Sequence, residues 1–420
     1  MRQRGRRALW TPSLRLDSLE PRALLSVIAH LDVDDVRPRP TEVSLHPTKA
    51  TAMHGVAATK LRSLPVATSG LTAHDLRRVA RPMHGPAPLA SGAAAPYTPQ
   101  QIYQAYGFNQ IPNNGSGITI AIVDAYNDPK IKSDLATFDS TFGLAAPPSF
   151  SVVNQSGGSK LPRANSSWSV EISLDVEWAH AIAPKANIIL VEASTPSFTN
   201  LLAAEDYARN HAQVVSNSWG SSEFSGETSY DSHFTSPTGK NVAFTVASGD
   251  SGSPAGYPGV APGVLATGGT TLPLDASGNL IAPETGWSGS GGGVSAYEPV
   301  PSYQVGLGYS GRTNPDVSYN ADPNTGYYVL DSYSGGWYAV GGTSAAAPQW
   351  AGLIALADQN RSTPLNGTTL LNLIYGLKGQ YFNDVTAGSN GGYTAAPGYD
   401  LVTGWGSPQA QNLVPYLSTH

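Results

Sequence analysis

Four short runs of apolar, largely β-branched residues set the strongest constraint on what this chain can fold into. They are ITIAIVDA (118–125), NIILVEAS (187–194), QVVSNSW (213–219) and VAFTVAS (242–248). Each is apolar almost throughout and does not alternate, the pattern of a strand covered on both faces, as in a parallel sheet. Segments of helical periodicity lie between them, including KIKSDLATFDSTF (130–142) and NLLAAEDYARNHA (200–212). Strand and helix in turn predict an α/β fold: a doubly wound, mostly parallel sheet with helices on both faces. Such sheets carry their chemistry beyond the carboxyl ends of the strands. Asp124 closes the first run, and Asp250 stands in ASGDSG just after VAFTV. Either one alone reads as a turn or cap aspartate.

The alternation begins only near YTPQQIYQAYGF (97–108), and what precedes it has a different texture. Residues 27–96 are rich in Pro, Ala, Thr, Arg and His and read as a short prosegment or linker. Residues 1–96 hold 14 Lys/Arg against 7 Asp/Glu, whereas the remainder of the 420 holds 10 against 23. A basic front on an acidic body suits a segment that docks in cis or is removed, and it argues against nucleic acid as a partner. Without cysteine, disulfides and thiolate chemistry are excluded. No apolar run reaches the length of a membrane span. The start, MRQRGRR, suits a signal n-region, but Arg15, Asp17, Glu20 and Arg22 break the apolar stretch that should follow. LRLDSLEPRALLS (14–26) resembles an N-terminal motif of certain bacterial exported proteins, so 1–26 reads as an export-type segment ahead of an extracellular protein.

GGTSAAAP (341–348) places Ser344 between a glycine turn and an alanine-rich helix start, where a nucleophile would sit. A serine hydroxyl needs a base to take its proton. The helical segment SVEISLDVEWAHAIAP (169–184) offers one. At 100° per residue Glu171, Asp175, Trp178 and Ile182 share a face, flanked by apolar residues, while Ser173, Glu177 and His180 occupy an opposite, wettable face. Two like charges one turn apart repel, so one should hold or share a proton. Glu171 is therefore a candidate general base for Ser344, with Asp175 as its partner. The exchange of histidine for a carboxylate makes sense in acid, where an imidazole is already protonated. Asp250, kept neutral, would donate a hydrogen bond to an oxyanion.

These residues fall within a set of motifs that resembles the sedolisins, or serine-carboxyl peptidases. YTPxQ, ExxxDxxWAxAIAP, SNSWG, SGDSG, GGTSAAAP and GYDLVTGWGSP occur in order over residues 97–416. The resemblance implies a subtilisin-like peptidase domain over 97–420, activity as an acid endopeptidase or tripeptidyl-peptidase on peptide substrates, and secretion as a zymogen. By motif, Ser344 would be the nucleophile, Glu171 the base, Asp175 its partner and Asp250 the oxyanion stabiliser. Asp124 and Trp219 would extend the hydrogen-bond network behind the acid pair. FNDVTAGSNGGYTAAPGYD (382–400) by its spacing is a loop with two turn aspartates. The resemblance makes it the site of one structural Ca²⁺, held by Asp384, Val385, Ala396, Gly398 and Asp400.

The chain departs from the family pattern in two places. The prosegment is short for the family, and the segment 253–269 lacks an insertion that carries a substrate-contacting acid in some relatives. His180, His211 and His233 lack a catalytic motif and read as surface residues. Three other readings compete. A subtilisin-type triad of Asp124, a histidine and Ser344 needs a histidine where the helix offers Glu171. An inactive binding or adhesion domain would have lost one of the four polar groups. A glycosidase pair needs carboxyls that flank a bond from opposite sides, which neighbours on one helix face do not.

Overall fold

The computed structural model describes residues 81–83 and 96–420. The export-type segment at 1–26 and, but for 81–83 and Pro96, the linker at 27–96 lie outside the described residues. The elements run β1 (Arg81–Met83), α1 (Pro99–Tyr106), β2 (Thr119–Ala125), α2 (Ile131–Phe142), β3 (Phe150–Asn154), α3 (Ser166–Ile182), β4 (Asn187–Ala193), α4 (Phe198–Ala208) and β5 (Val214–Asn217). There follow β6 (Ala243–Ala247), β7 (Leu265–Thr271), β8 (Thr285–Gly286), β9 (Val317–Asn320), β10 (Tyr327–Asp331), β11 (Gly336–Val340), α5 (Thr343–Asp358), α6 (Gly367–Leu377) and α7 (Ala410–Thr419), with short ribbons and turns between.

The YTPxQ motif is a helix start. Thr98 caps α1 by accepting the Gln101 N–H at 3.3 Å, and the Gln101 side chain accepts the Thr98 N–H at 3.0 Å. Two donors that the first turn would leave unpaired are thereby satisfied, and Pro99 sits where its missing N–H costs nothing. Asn165 caps α3 in a similar way, accepting from the N–H groups of Ser167 and Trp168.

The main sheet has the order β8–β7–β6–β5–β2–β4–β3, and β9 also pairs with β7. Every pairing is parallel except β8 on β7. From β2 the chain crosses to the edge strand β3, comes back to β4 beside β2, then passes to β5 on the other side of β2. The order thus reverses at β2, and in such sheets ligands bind beyond the carboxyl ends of the strands near the reversal. Side chains of β2 alternate between two cores. Ile120 and Ile122 join α3, α5, α6 and α7 on one face, while Ala121, Val123 and Ala125 join α4 on the other. This is the doubly wound, two-faced sheet that the apolar runs predict.

A second sheet, β1–β11–β10, stands apart from the first. β1 lies inside the stretch read as a linker, and its backbone pairs antiparallel with β11 from Arg81 opposite Ala339 to Met83 opposite Trp337. The exposed edge of a hairpin offers unpaired N–H and C=O groups, and an edge position tolerates Pro82.

This hairpin also corrects the expected wettable face of α3. Ser173, Glu177 and His180 are all fully buried, because α2 and the β10–β11 hairpin cover that side of the helix. Glu177 accepts the Leu330 N–H of β10 at 3.0 Å. His180 is a core residue and not a surface one, with Nε2 3.1 Å from Asp139 Oδ1 of α2. His211 is exposed and stacks on Tyr207, and His233 is half-buried beside Asp206.

A buried ion pair ties β9 to β7. Arg312 clasps both carboxylate oxygens of Asp316 at 2.8 and 2.7 Å, and both side chains are fully buried. Asp316 also accepts the Ala266 N–H at 2.7 Å and the Tyr375 hydroxyl at 2.6 Å. Removing the guanidinium leaves a buried carboxylate without its cation. Arg312→Met is therefore expected to lower the urea-unfolding free energy by about 3–5 kcal/mol, and a loss below about 1 kcal/mol would show the pair to be dispensable.

Candidate active site

α3 and α5 cross closely on one side of the sheet. The approach is set at Gly352, where a Cβ would come within 2.7 Å of Ile182 Cβ. Their pairing brings the Glu171–Asp175 face of α3 to the first turn of α5, which carries Ser344. Glu171 is 1% exposed, Asp175 0% and Ser344 2%. The Ser344 hydroxyl stands near enough to the Glu171 carboxyl to favour its charged form.

The turn before α5 explains its sequence. Gly342 has φ +123°, and a Cβ there would lie 2.7 Å from Asp250 Oδ2, so only glycine leaves room for that carboxyl. Asp250 Oδ1 accepts the Thr343 N–H at 2.7 Å and the Thr343 hydroxyl at 2.8 Å. The carboxyl from the end of β6 is thus held against the start of α5, and both Asp250 and Ser344 line one pocket of ≈ 190 Å³. Pro348 has no N–H to offer the carbonyl of Ser344 one turn back. Ser218, directly after β5, donates its hydroxyl to that carbonyl at 3.2 Å. The backbone of Ser344 is therefore anchored to a neighbouring strand, which a regular helix bond would not do.

Burial dominates the electrostatics. Desolvation, followed by the charge of Asp124 and partly offset by the Ser344 hydroxyl, pushes Glu171 well above the usual carboxylate range. Desolvation and the charges of Asp124 and Glu171 do the same to Asp175. Asp124, at the carboxyl end of β2, is raised by burial to about 8. Three carboxyls with one another as neighbours cannot all ionise. The first proton lost leaves a shared monoanion, and further protons are held far above their ordinary range. A base poised in this way is a strong acceptor for a hydroxyl proton.

Asp124 lies within electrostatic reach of both acids, but neither of its carboxyl oxygens has a hydrogen-bond partner, so it extends no hydrogen-bond network behind them. Trp219 lines the pocket, but its indole N–H finds no hydrogen-bond partner, and the ring packs edge-on to Phe198 with centroids 6.0 Å apart. Ser218 and Thr343 were not singled out from sequence, although SNSWG and GGTS contain them. Their roles depend on which strand end meets which helix start. The described histidines all lie in other contacts: His180 with Asp139, His211 with Tyr207, His233 with Asp206 and His420 with Tyr416.

In the C-terminal loop the two aspartates approach the same turn. Gly398 N–H bonds the Asp384 carboxylate at 3.1 and 3.2 Å, and Ala396 N–H bonds Asp400 Oδ2 at 3.0 Å. The two carboxylates are hard oxygen groups of the kind that suit a hard cation.

Fold and site together define a serine peptidase of the subtilisin-like α/β class. Residues 165–378 match the model of the Subtilase family. Kumamolisin from Bacillus sp. (strain MN-32) is 35% identical over 82% of this chain and 69% of its own length. Sedolisin from Pseudomonas sp. (strain 101) is 28% identical over 79% of this chain and 63% of its own. Among solved structures, Pseudomonas sedolisin, a serine-carboxyl proteinase complexed with two molecules of pseudo-iodotyrostatin, superposes with TM-score 0.69 at 28% identity, over 78% of this chain and all of that one. The chain belongs to the sedolisin family of serine-carboxyl peptidases.

Proposed function

We propose that the protein is a secreted, acid-acting serine-carboxyl endopeptidase that works through an acyl-enzyme. The observation that carries this reading is the Glu171 carboxyl beside Ser344, where none of the described histidines stands. Ser344 Oγ attacks the scissile carbonyl while Glu171 takes its proton, and Asp175 shares the resulting charge balance. The carbonyl oxygen becomes an oxyanion. Asp250 in its neutral form donates to it, and the amino-terminal end of α5 adds a favourable field. Glu171 then returns the proton to the leaving amine, and water repeats the cycle on the ester. The pocket beside Ser344 is lined largely by small residues with Trp219 and Tyr257, and Asp250 is its one acidic group. It suits an uncharged side chain on the substrate.

The same reading assigns the basic N-terminal stretch as a prosegment that docks in cis and is removed, and one structural Ca²⁺ to the C-terminal loop. Asp384, Asp400 and the carbonyls of Val385, Ala396 and Gly398 would hold it, and the ion would supply cross-linking charge to a glycine-rich turn. No helix among the described residues is long and apolar enough to cross a membrane.

The test is cleavage of an unstructured protein substrate between pH 3 and 8 by the purified chain and by Ser344→Ala. Cleavage confined to the acid side and absent from the variant is the expected result. Activity that peaks near neutrality would overturn the acid reading, and activity that survives in Ser344→Ala would overturn the nucleophile.

A further inference from the structure

α3 carries carboxyl groups on both of its long faces. Opposite Glu171 and Asp175, it lines up Ser169, Ser173 and Glu177, one at every fourth residue and all fully buried. Three aspartates from three other segments meet this face. Asp128 comes from the turn after β2, Asp134 from the first turn of α2 and Asp331 from the end of β10. They are buried to 1%, 3% and 0% exposure, and one oxygen from each lies within 4.8 Å of the others.

Glu177 is the second observation that points to a ligand. Its Oε2 is held by the N–H of Leu330, the residue before Asp331, while its buried Oε1 has no hydrogen-bond partner. Ser173, one turn before Glu177 on the same face, bonds Asp128, and the Glu177 carboxyl interacts electrostatically with Asp134, Asp331 and Asp128 together, so the unpartnered oxygen lies beside the cluster. Among the described residues, no Lys or Arg forms an ion pair with any of the four. What they do receive are neutral donors. Ser173 bonds Asp128, Ser169 bonds Asp331, and the hydroxyl and N–H of Ser332 bond Asp134. Such donors orient carboxylates in the manner of an outer shell around a metal, but they cancel no charge.

Buried carboxylates are normally paired or bound to a cation. We propose that this cluster binds a hard divalent cation, Ca²⁺ in particular, through Asp128, Asp134 and Asp331, with Glu177 as a fourth carboxylate. The donors are all oxygen, which disfavours the softer transition metals. Several carboxylates supplied by the protein suit Ca²⁺, which takes about six to eight oxygen ligands, better than Mg²⁺, which usually keeps several waters and is held by one or two carboxylates. An ion here would join the β2–α2 turn, α2 and the β10–β11 hairpin to the back of the helix that carries Glu171 and Asp175. The site is separate from the C-terminal loop and does not depend on the reading of either site's function.

The experiment counts calcium. The Ser344→Ala chain, stripped of metal and equilibrated with CaCl₂ at pH 7, is assayed for bound Ca²⁺ per chain by elemental analysis and for affinity by calorimetry. Asp128→Asn and Glu177→Gln are examined separately in that background, with Asp384→Asn marking the C-terminal loop. Loss of one Ca²⁺ equivalent, or at least a tenfold weaker affinity, in Asp128→Asn or Glu177→Gln but not in Asp384→Asn supports the site. An unchanged count and affinity in both cluster variants overturns it. So does a rise in melting temperature in both that is the same with and without calcium, because the four carboxyls would then be sharing protons in place of a cation.

Discussion

Glu171→Gln is expected to lower kcat/KM for peptide cleavage by about 10⁴-fold or more while leaving the chain folded and, at neutral pH, more stable. Glutamine has the shape of glutamate but cannot take the Ser344 proton. It also removes a carboxyl that burial and Asp124 push well above its usual range. A protein that retains the glutamate must hold a proton or bear a desolvated charge there, and one with the amide need do neither. The two readouts together separate a catalytic role from a structural one, because a merely structural Glu171 would lose stability along with activity. Asp250→Ala should cost less, about 10²–10³-fold, as the loss of one oxyanion donor does elsewhere. Full activity in Glu171→Gln would remove it as the base, since no described histidine is near enough to Ser344 to replace it.

Stability should fall steadily as pH rises from about 4 to about 8. The carboxyls that set the slope are buried and raised chiefly by desolvation: Glu171 and Asp175 beside Ser344, Asp124 raised to about 8, Glu205 despite Arg209 nearby, Glu284, and Asp358 raised to about 7 despite Arg361. Each has a folded pKa above its unfolded value. Its contribution is therefore complete below the unfolded pKa near 4 and is lost as pH climbs toward the folded value, because the unfolded chain releases a proton that the native one keeps. Each group adds a slope of about 1.4 kcal/mol per pH unit over its own window. Urea midpoints measured at half-unit steps should decline across this range. Asp358→Asn should flatten the decline by about one group's slope between pH 4 and 7. A midpoint that is flat or rises with pH would mean these carboxyls ionise in the folded protein without cost. The same inventory gives a physical basis for acid operation: in acid the fold keeps its protons.

Much of the architecture could be read without coordinates, and for an identifiable reason. A strand buried on both faces must be apolar at nearly every position, so ITIAIVDA and its three companions announced the parallel sheet locally, and helical periodicity between them announced the layers. The YTPxQ, SGDSG and GGTSAAAP motifs were equally legible, because a cap or a tight turn is decided by a few adjacent residues. Thr98 and Pro348 each do their work within one turn of chain. Glu171 and Asp175 could be picked out because carboxyls on an apolar helix stripe violate the ordinary pattern.

The other face of the same helix could not be read in this way. Ser173, Glu177 and His180 have the spacing of a solvated stripe, and periodicity carries no information on whether water or another element will cover it. A hairpin more than 140 residues later in the chain supplies the cover, and with it come Asp331 and the backbone N–H that holds Glu177. The juxtaposition of Asp128, Asp134 and Asp331, the hydroxyl of Ser218 on the carbonyl of Ser344 and the clasp of Thr343 on Asp250 belong to the same class. The residues of these contacts come from different strand ends, turns and helix starts. Local sequence determined which elements form and which residues are anomalous within them; only tertiary packing, which removes water from particular faces, decided which anomalies meet.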